Sequence, residues 1–191
     1  MFPQLNFIFC IVNSNCRSNG AFSCPGLFTN PDTKITDEKF TKIVSLLQEQ
    51  DFAIAAPQIV EKNIVYKQNK SDHQIKKVEH VFGMAMILNK RKFVNNFFDE
   101  NIFLYHEEID LCKRMINIGQ NILELNIQLN HLGNQSHGGY DFEMEKSRNW
   151  HWMWSKFYFY KKHHNYFYSF FKTLPNFLSS IFKFLIYKLL T

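Results

Sequence analysis

Acidic residues stop at Glu145. Residues 146–191 contain eight Lys and Arg but no Asp or Glu, together with all three Trp and half of the 32 aromatic residues. That stretch presents a different kind of surface from the rest of the chain. Cysteine is scarce. Cys10, Cys16, Cys24 and Cys112 match no zinc-ligand spacing and give no disulfide framework, so a reducing setting is the default. No basic residue precedes the short apolar run 7–12, which therefore does not read as a signal peptide. No apolar run reaches membrane-spanning length: 177–190 covers about 14 residues, against roughly 20 for a spanning helix. No internal repeat is visible. No recognition motif accompanies the basic and aromatic residues, so no nucleic-acid partner is expected.

What the chain does have suffices for a folded domain. Its 191 residues are 46% hydrophobic and 20% charged, with 21 Phe. That is room for one sizeable core. The formal net charge of +5 hides an asymmetry, because residues 1–145 carry 14 basic and 17 acidic side chains.

Residues 1–29 are rich in Asn, Ser, Cys and Gly and keep no sustained period. Thr36 predicts a helix N-cap, with Asp37 and Glu38 in the first turn and Phe40, Ile43, Val44 and Leu47 on one face. Residues 52–56 read as a buried strand stopped by Pro57, and the polar stretch 61–77 as a surface loop. The apolar run 80–88, interrupted by Gly83, reads as a strand with a close backbone approach. A short basic helix is expected over 90–96. A strand is then expected over 102–105, a helix over 107–118 closed by Gly119, and a strand over 121–129 leading to His131. Strands alternating with helices predict an α/β sandwich.

The stretch 97–114 concentrates the chemistry. Asp99 and Glu100 follow two Phe, and the apolar run 102–105 leads into Glu107, Glu108 and Asp110, then Lys113 and Arg114. Carboxylates at a helix start suit the macrodipole, and Asp110 and Arg114 are spaced as an ion pair along a helix. The same carboxylates are candidates for general-base work. Asp32 in the Asn30-Pro31-Asp32 turn is a carboxylate able to hold a divalent cation, and equally ordinary turn chemistry. His131, after an apolar strand, offers imidazole to a transition metal. The other seven histidines, His163 and His164 above all, read as surface residues.

In this order, the turn 30–32, the run 81–88, the acidic stretch 97–114 and Asn130-His131-Leu132-Gly133 with Ser136 resemble inverting family 2 glycosyltransferases, most closely the rhamnosyltransferase-like branch. One departure is Glu108, which stands where that pattern usually has the catalytic Asp. The resemblance implies a partial GT-A-type, Rossmann-like mixed sheet flanked by helices and ending in a helical basic-aromatic tail. It implies sugar transfer, rhamnose included, from a nucleotide-sugar to a hydroxyl of a glycan or lipid-linked acceptor, in polysaccharide biosynthesis. Asp32 and His131 would hold Mg²⁺ or Mn²⁺ with the donor diphosphate. Gly83 would line the donor and acceptor pocket, Asp99 and Glu100 would orient the acidic loop, and Glu108, with Glu107 and Asp110 beside it, would supply the base.

The expected organisation is an irregular or truncated segment 1–29, a core 30–145 and a tail 146–191. Only 29 residues precede Asn30, too few for the usual base-binding strands, so weak donor binding is expected. Trp150, Trp152 and Trp154 alternate with His and Met, and the basic residues and aromatics of the tail suit a helix lying in a membrane interface. That places the chain in the cytoplasm, peripheral at the membrane face. A non-catalytic remnant or membrane-surface binding module is the alternative.

Overall fold

The computed structural model describes residues 8–11, 26–30, 33–66, 73–93, 97–132 and 142–190. It divides into two compact units, Met1–Phe97 with Leu111–His137, and Phe98–Asp110 with Gly138–Thr191.

The first unit is a mixed sheet of eight strands among the described residues. They are β1 (Ile8–Ile11), β2 (Gly26–Thr29), β3 (Thr33–Lys34), β4 (Ile54–Glu61), β5 (Ile64–Tyr66), β6 (Ile75–Lys77), β7 (Ala85–Leu88) and β8 (Ile122–His131). The order is β1-β2-β7-β4-β8-β3, with β5 on β4 and β6 on β8. Only β4 and β8 run parallel; the other pairs are antiparallel. This is the mixed α/β sheet expected. Central β4 is buried from Ile54 to Ile59 and apolar there except for Gln58, as suits a strand covered on both faces. In β8 residues 122–125 are all buried, and from Asn126 onward polar and apolar residues alternate, so one face opens to solvent there.

Helix α1 (Asp37–Leu47) starts where expected: the Thr36 hydroxyl accepts from the Lys39 amide. Its Ile43 and Leu47 join Leu27, Phe52, Ala55, Ile87, Leu123, Leu125 and Ile127 in the main core. Helix α2 (Glu107–Asn117) ends in a Schellman motif. Gly119 sits at φ +78°, the Gly119 amide donates to the Ile116 carbonyl and the Gln120 amide to that of Met115.

Several expectations fail for identifiable reasons. Strand β4 runs through Pro57, because the register against β8 shifts at Pro57/Gln58 and β7 pairs only at Ile54 and Ala55; a bulge tolerates a missing amide donor. The stretch 61–77 contains β5 and β6. Lys62 (φ 49°) and Asn63 (φ 64°) make a two-residue hairpin turn with both residues left-handed, although neither is Gly. The segment 1–29 holds β1 and β2. Gly83 lies in a turn before β7, not inside a strand, and the basic helix shrinks to one 3₁₀ turn, Lys90–Lys92.

The second unit carries α3 (Phe142–His163) and α4 (Tyr166–Leu190), an antiparallel pair. Asn165 caps α4 by accepting from the Tyr168 amide at 2.8 Å. Buried Ser155 and Ser169 allow close approach, and the Ser169 hydroxyl donates to the Phe157 carbonyl across the pair. No helix among the described residues is long and apolar enough to cross a membrane.

Candidate functional site

Residues 102–105, expected as a strand, form an irregular loop. Their carbonyls find partners outside a ladder: the Ser155 hydroxyl of α3 donates to the Leu104 carbonyl at 2.7 Å. The loop starts in a turn built on Asp99, whose Oδ1 accepts from both the amide and the side chain of Asn101. It ends at Tyr105 (φ 66°) and His106 (φ 67°), two non-glycine residues in the left-handed region. Such a conformation costs on the order of 1–3 kcal/mol per residue and persists only where the surroundings impose it. The His106 ring stacks on Phe159, and its carbonyl accepts from the Asp110 amide to begin α2.

Five carboxylates lie on this segment, and four of them fall into two kinds of environment. Asp99 and Asp110 are saturated with donors. Lys162 Nζ reaches Asp99 Oδ2 at 2.7 Å and Asp110 Oδ1 at 2.8 Å. His163 Nε2 lies 2.8 Å from Asp110 Oδ1, and the Tyr158 hydroxyl donates to Asp99 at 3.2 Å. Burial opposes ionisation of Asp99, but the hydrogen bonds from Lys162 and Asn101 outweigh it and hold its carboxyl well below the usual range. Burial also opposes the charge on Lys162, and its bonds to Asp110 and Asp99 more than restore it. Asp110 has no solvent exposure at all.

Glu107 and Glu108 are the opposite case. Both are half-buried in the first turn of α2. Burial pushes Glu107 up to about 7, helped by the charge on Glu108, and its Oε2 is a buried oxygen with no hydrogen-bond partner among the described residues. Burial raises Glu108 as well. Two carboxyls set high beside two anchored ones form an arrangement suited to accepting a proton near neutral pH. Glu100 lies exposed in the turn next to Asp99.

In the first unit, three other singled-out positions converge along the backbone. Thr33 pairs in register with His131, and its hydroxyl donates to the Met84 carbonyl at 3.2 Å. The Asn30 amide donates to the same carbonyl at 3.0 Å. The neighbours of Asp32 and Gly83 are thereby joined to the strand end that carries His131. Asp32 itself, and Gly133 and Ser136, lie outside the described residues. Glu61 Oε2 stands 3.4 Å from His131 Nδ1. Among the described residues no three metal-ligating side chains cluster.

The residues that sequence reading missed are on α3. His163, read as a surface residue, is buried against Asp110 with 6% of its side chain exposed. Tyr158 and Lys162 carried no motif. The one signal, for Lys162, was the excess of cations over acids in that stretch of the sequence.

No family model matches the chain. It is similar to the low-salt glycan biosynthesis hexosyltransferase Agl10 of Haloferax volcanii, with 27% identity over an alignment of 119 residues. The match covers 49% of this chain and 38% of that protein, so the chain spans well under half the length of the relative. The similarity is to a glycosyltransferase.

Proposed function

We propose that the chain is an inverting, family 2-like glycosyltransferase, or a part of one, that moves a sugar, in the rhamnosyltransferase-like manner, from a nucleotide-sugar to a hydroxyl of a glycan or lipid-linked acceptor. The observation that carries the reading is the raised Glu107–Glu108 pair at the head of α2, next to the anchored Asp99 and Asp110. Inverting transfer needs one carboxylate to take the acceptor proton as the hydroxyl attacks the anomeric carbon, with no covalent enzyme intermediate. Glu108 is assigned that role. Glu107 keeps the pair's charge low enough for a proton to be taken up near neutrality. Asp110, buried and saturated, orients the helix start.

Asp32 and His131 are assigned to the donor diphosphate and a Mg²⁺ or Mn²⁺ ion, with Glu61 the nearest described carboxylate to His131. When bound, the ion supplies positive charge for the departing diphosphate. The tail brings the protein to the cytoplasmic face of a membrane, where lipid-linked acceptors are found.

The test is release of nucleoside diphosphate from UDP- or dTDP-sugars in the presence of hydroxyl acceptors. Glu108→Gln should lower turnover by roughly 10²–10⁴-fold with little change in donor KM. Near-normal turnover would remove Glu108 from the chemistry. No transfer by the wild-type chain with any acceptor class would leave the membrane-surface binding module as the better account.

A further inference from the structure

We infer that helix α3 is a clamp for the segment 98–110, which carries Glu107 and Glu108 at the head of α2, with Lys162 as its principal positioning residue and Tyr158, Ser155 and His163 as its other contacts. The inference rests on the reading of Glu108 as the base, but its geometry stands apart from that reading.

Ser155, Tyr158, Phe159, Lys162 and His163 follow the spacing i, i+3, i+4, i+7, i+8, so they share one face of α3. Each touches the segment 98–110 at a different point. Tyr158 and Lys162 hold Asp99 at its beginning. Ser155 holds the Leu104 carbonyl in the middle. Phe159 stacks on His106 at the left-handed corner. Lys162 and His163 hold Asp110 one turn into α2. Lys162 bonds both ends, joining carboxylates eleven positions apart in the chain.

Glu107 and Glu108 sit between the corner and Asp110, and among the described residues no hydrogen bond joins a side chain of α3 to either of them. Their place is therefore set through the residues on each side. The two left-handed residues would relax without such restraint. A relaxed corner would let water reach the glutamates and abolish the burial that raises them.

The test uses the full chain and needs no sugar transfer. Amide hydrogen exchange is followed across 98–110 in wild type, Lys162→Met, Lys162→Arg and the milder Tyr158→Phe. Lys156→Met is the control; Lys156 is on the same helix but bonds Asn176 of α4. Carboxyl ¹³C resonances of the glutamates are titrated in parallel.

Lys162→Met should speed exchange over this segment about tenfold or more, leaving β4 and β8 protected. It should also move the Glu107 midpoint from about 7 toward the ordinary 4.5. Lys162→Arg should restore most of both, and Tyr158→Phe should show a smaller change of the same kind. A folded Lys162→Met or Tyr158→Phe chain with unchanged exchange and an unchanged Glu107 midpoint would overturn the clamp. An equal response to Lys156→Met would do the same, since it would show general loosening of α3. A wild-type chain inactive in sugar transfer would sink the transferase reading without altering these two readouts.

Discussion

Glu107 stores a pH dependence in its position. Its carboxyl titrates at about 7 in the fold against an ordinary 4.5, first because it is buried and second because Glu108 is beside it. Between those values the folded chain holds a proton that the unfolded chain has released. Stability must therefore fall as pH rises from about 4.5 to about 7. Asp99 acts in the opposite sense: its depressed pKa contributes stability above the usual carboxylate range that is lost only on strong acidification. Thermal unfolding should thus show Tm falling between pH 5 and 7.5 in wild type. Glu107→Gln should flatten that slope and raise Tm at pH 7.5 above wild type. A slope unchanged in Glu107→Gln would assign it to other groups. None of this was legible in the sequence, where Glu107, Glu108 and Asp110 are three equivalent acids at a helix start. What sets Asp110 apart from the two raised glutamates is its bonding to Lys162 and His163, more than fifty positions away.

At the scale of elements, the legible parts were those set by local rules. The Thr36 cap, the buried face of α1 and the Gly119 ending of α2 follow from caps, period and a glycine at φ +78°. The illegible parts were those decided by partners distant in sequence. The run 102–105 has strand composition but bonds a serine of α3, and Pro57 should end a strand but falls on a bulge. The Lys62-Asn63 turn adopts a glycine conformation without glycine. Gly119 allows a clean check, because a Cβ built there meets nothing within 4 Å. Gly119→Ala should therefore cost only the left-handed backbone penalty, ~1 kcal/mol. Denaturant midpoints should shift by that amount with an unchanged slope. A much larger loss would mean that the helix end is tied to something beyond its backbone.

For the whole molecule, the unequal distribution of charge and aromatic surface is the dominant property. Residues 146–191 supply eight cations and no anion, and on α4 large apolar side chains stand in water. Phe167 is 74% exposed, Phe171 68% and Phe182 64%, with Phe170, Phe177, Leu178 and Ile181 exposed alongside. Contiguous apolar surface of this kind marks an interaction face. Beside basic residues it matches the chemistry of an anionic bilayer surface, where each Lys or Arg adds about 1 kcal/mol and ring burial adds more. Lys172, near the Tyr168 ring, and Lys156, over the Trp152 ring, place two cations on aromatic faces within the same helical pair. The full chain should therefore co-sediment with vesicles containing phosphatidylserine and much less with neutral ones. The electrostatic share should weaken between low and physiological salt. Replacing Phe167, Phe171 and Phe182 by Ser should release the protein from both kinds of vesicle and raise its solubility. Because these rings are largely exposed, the substitutions should leave Tm nearly unchanged. If the triple variant instead unfolds, the rings serve a protein interface or core. If the wild-type chain stays in the supernatant at low salt, the membrane reading of the tail is wrong.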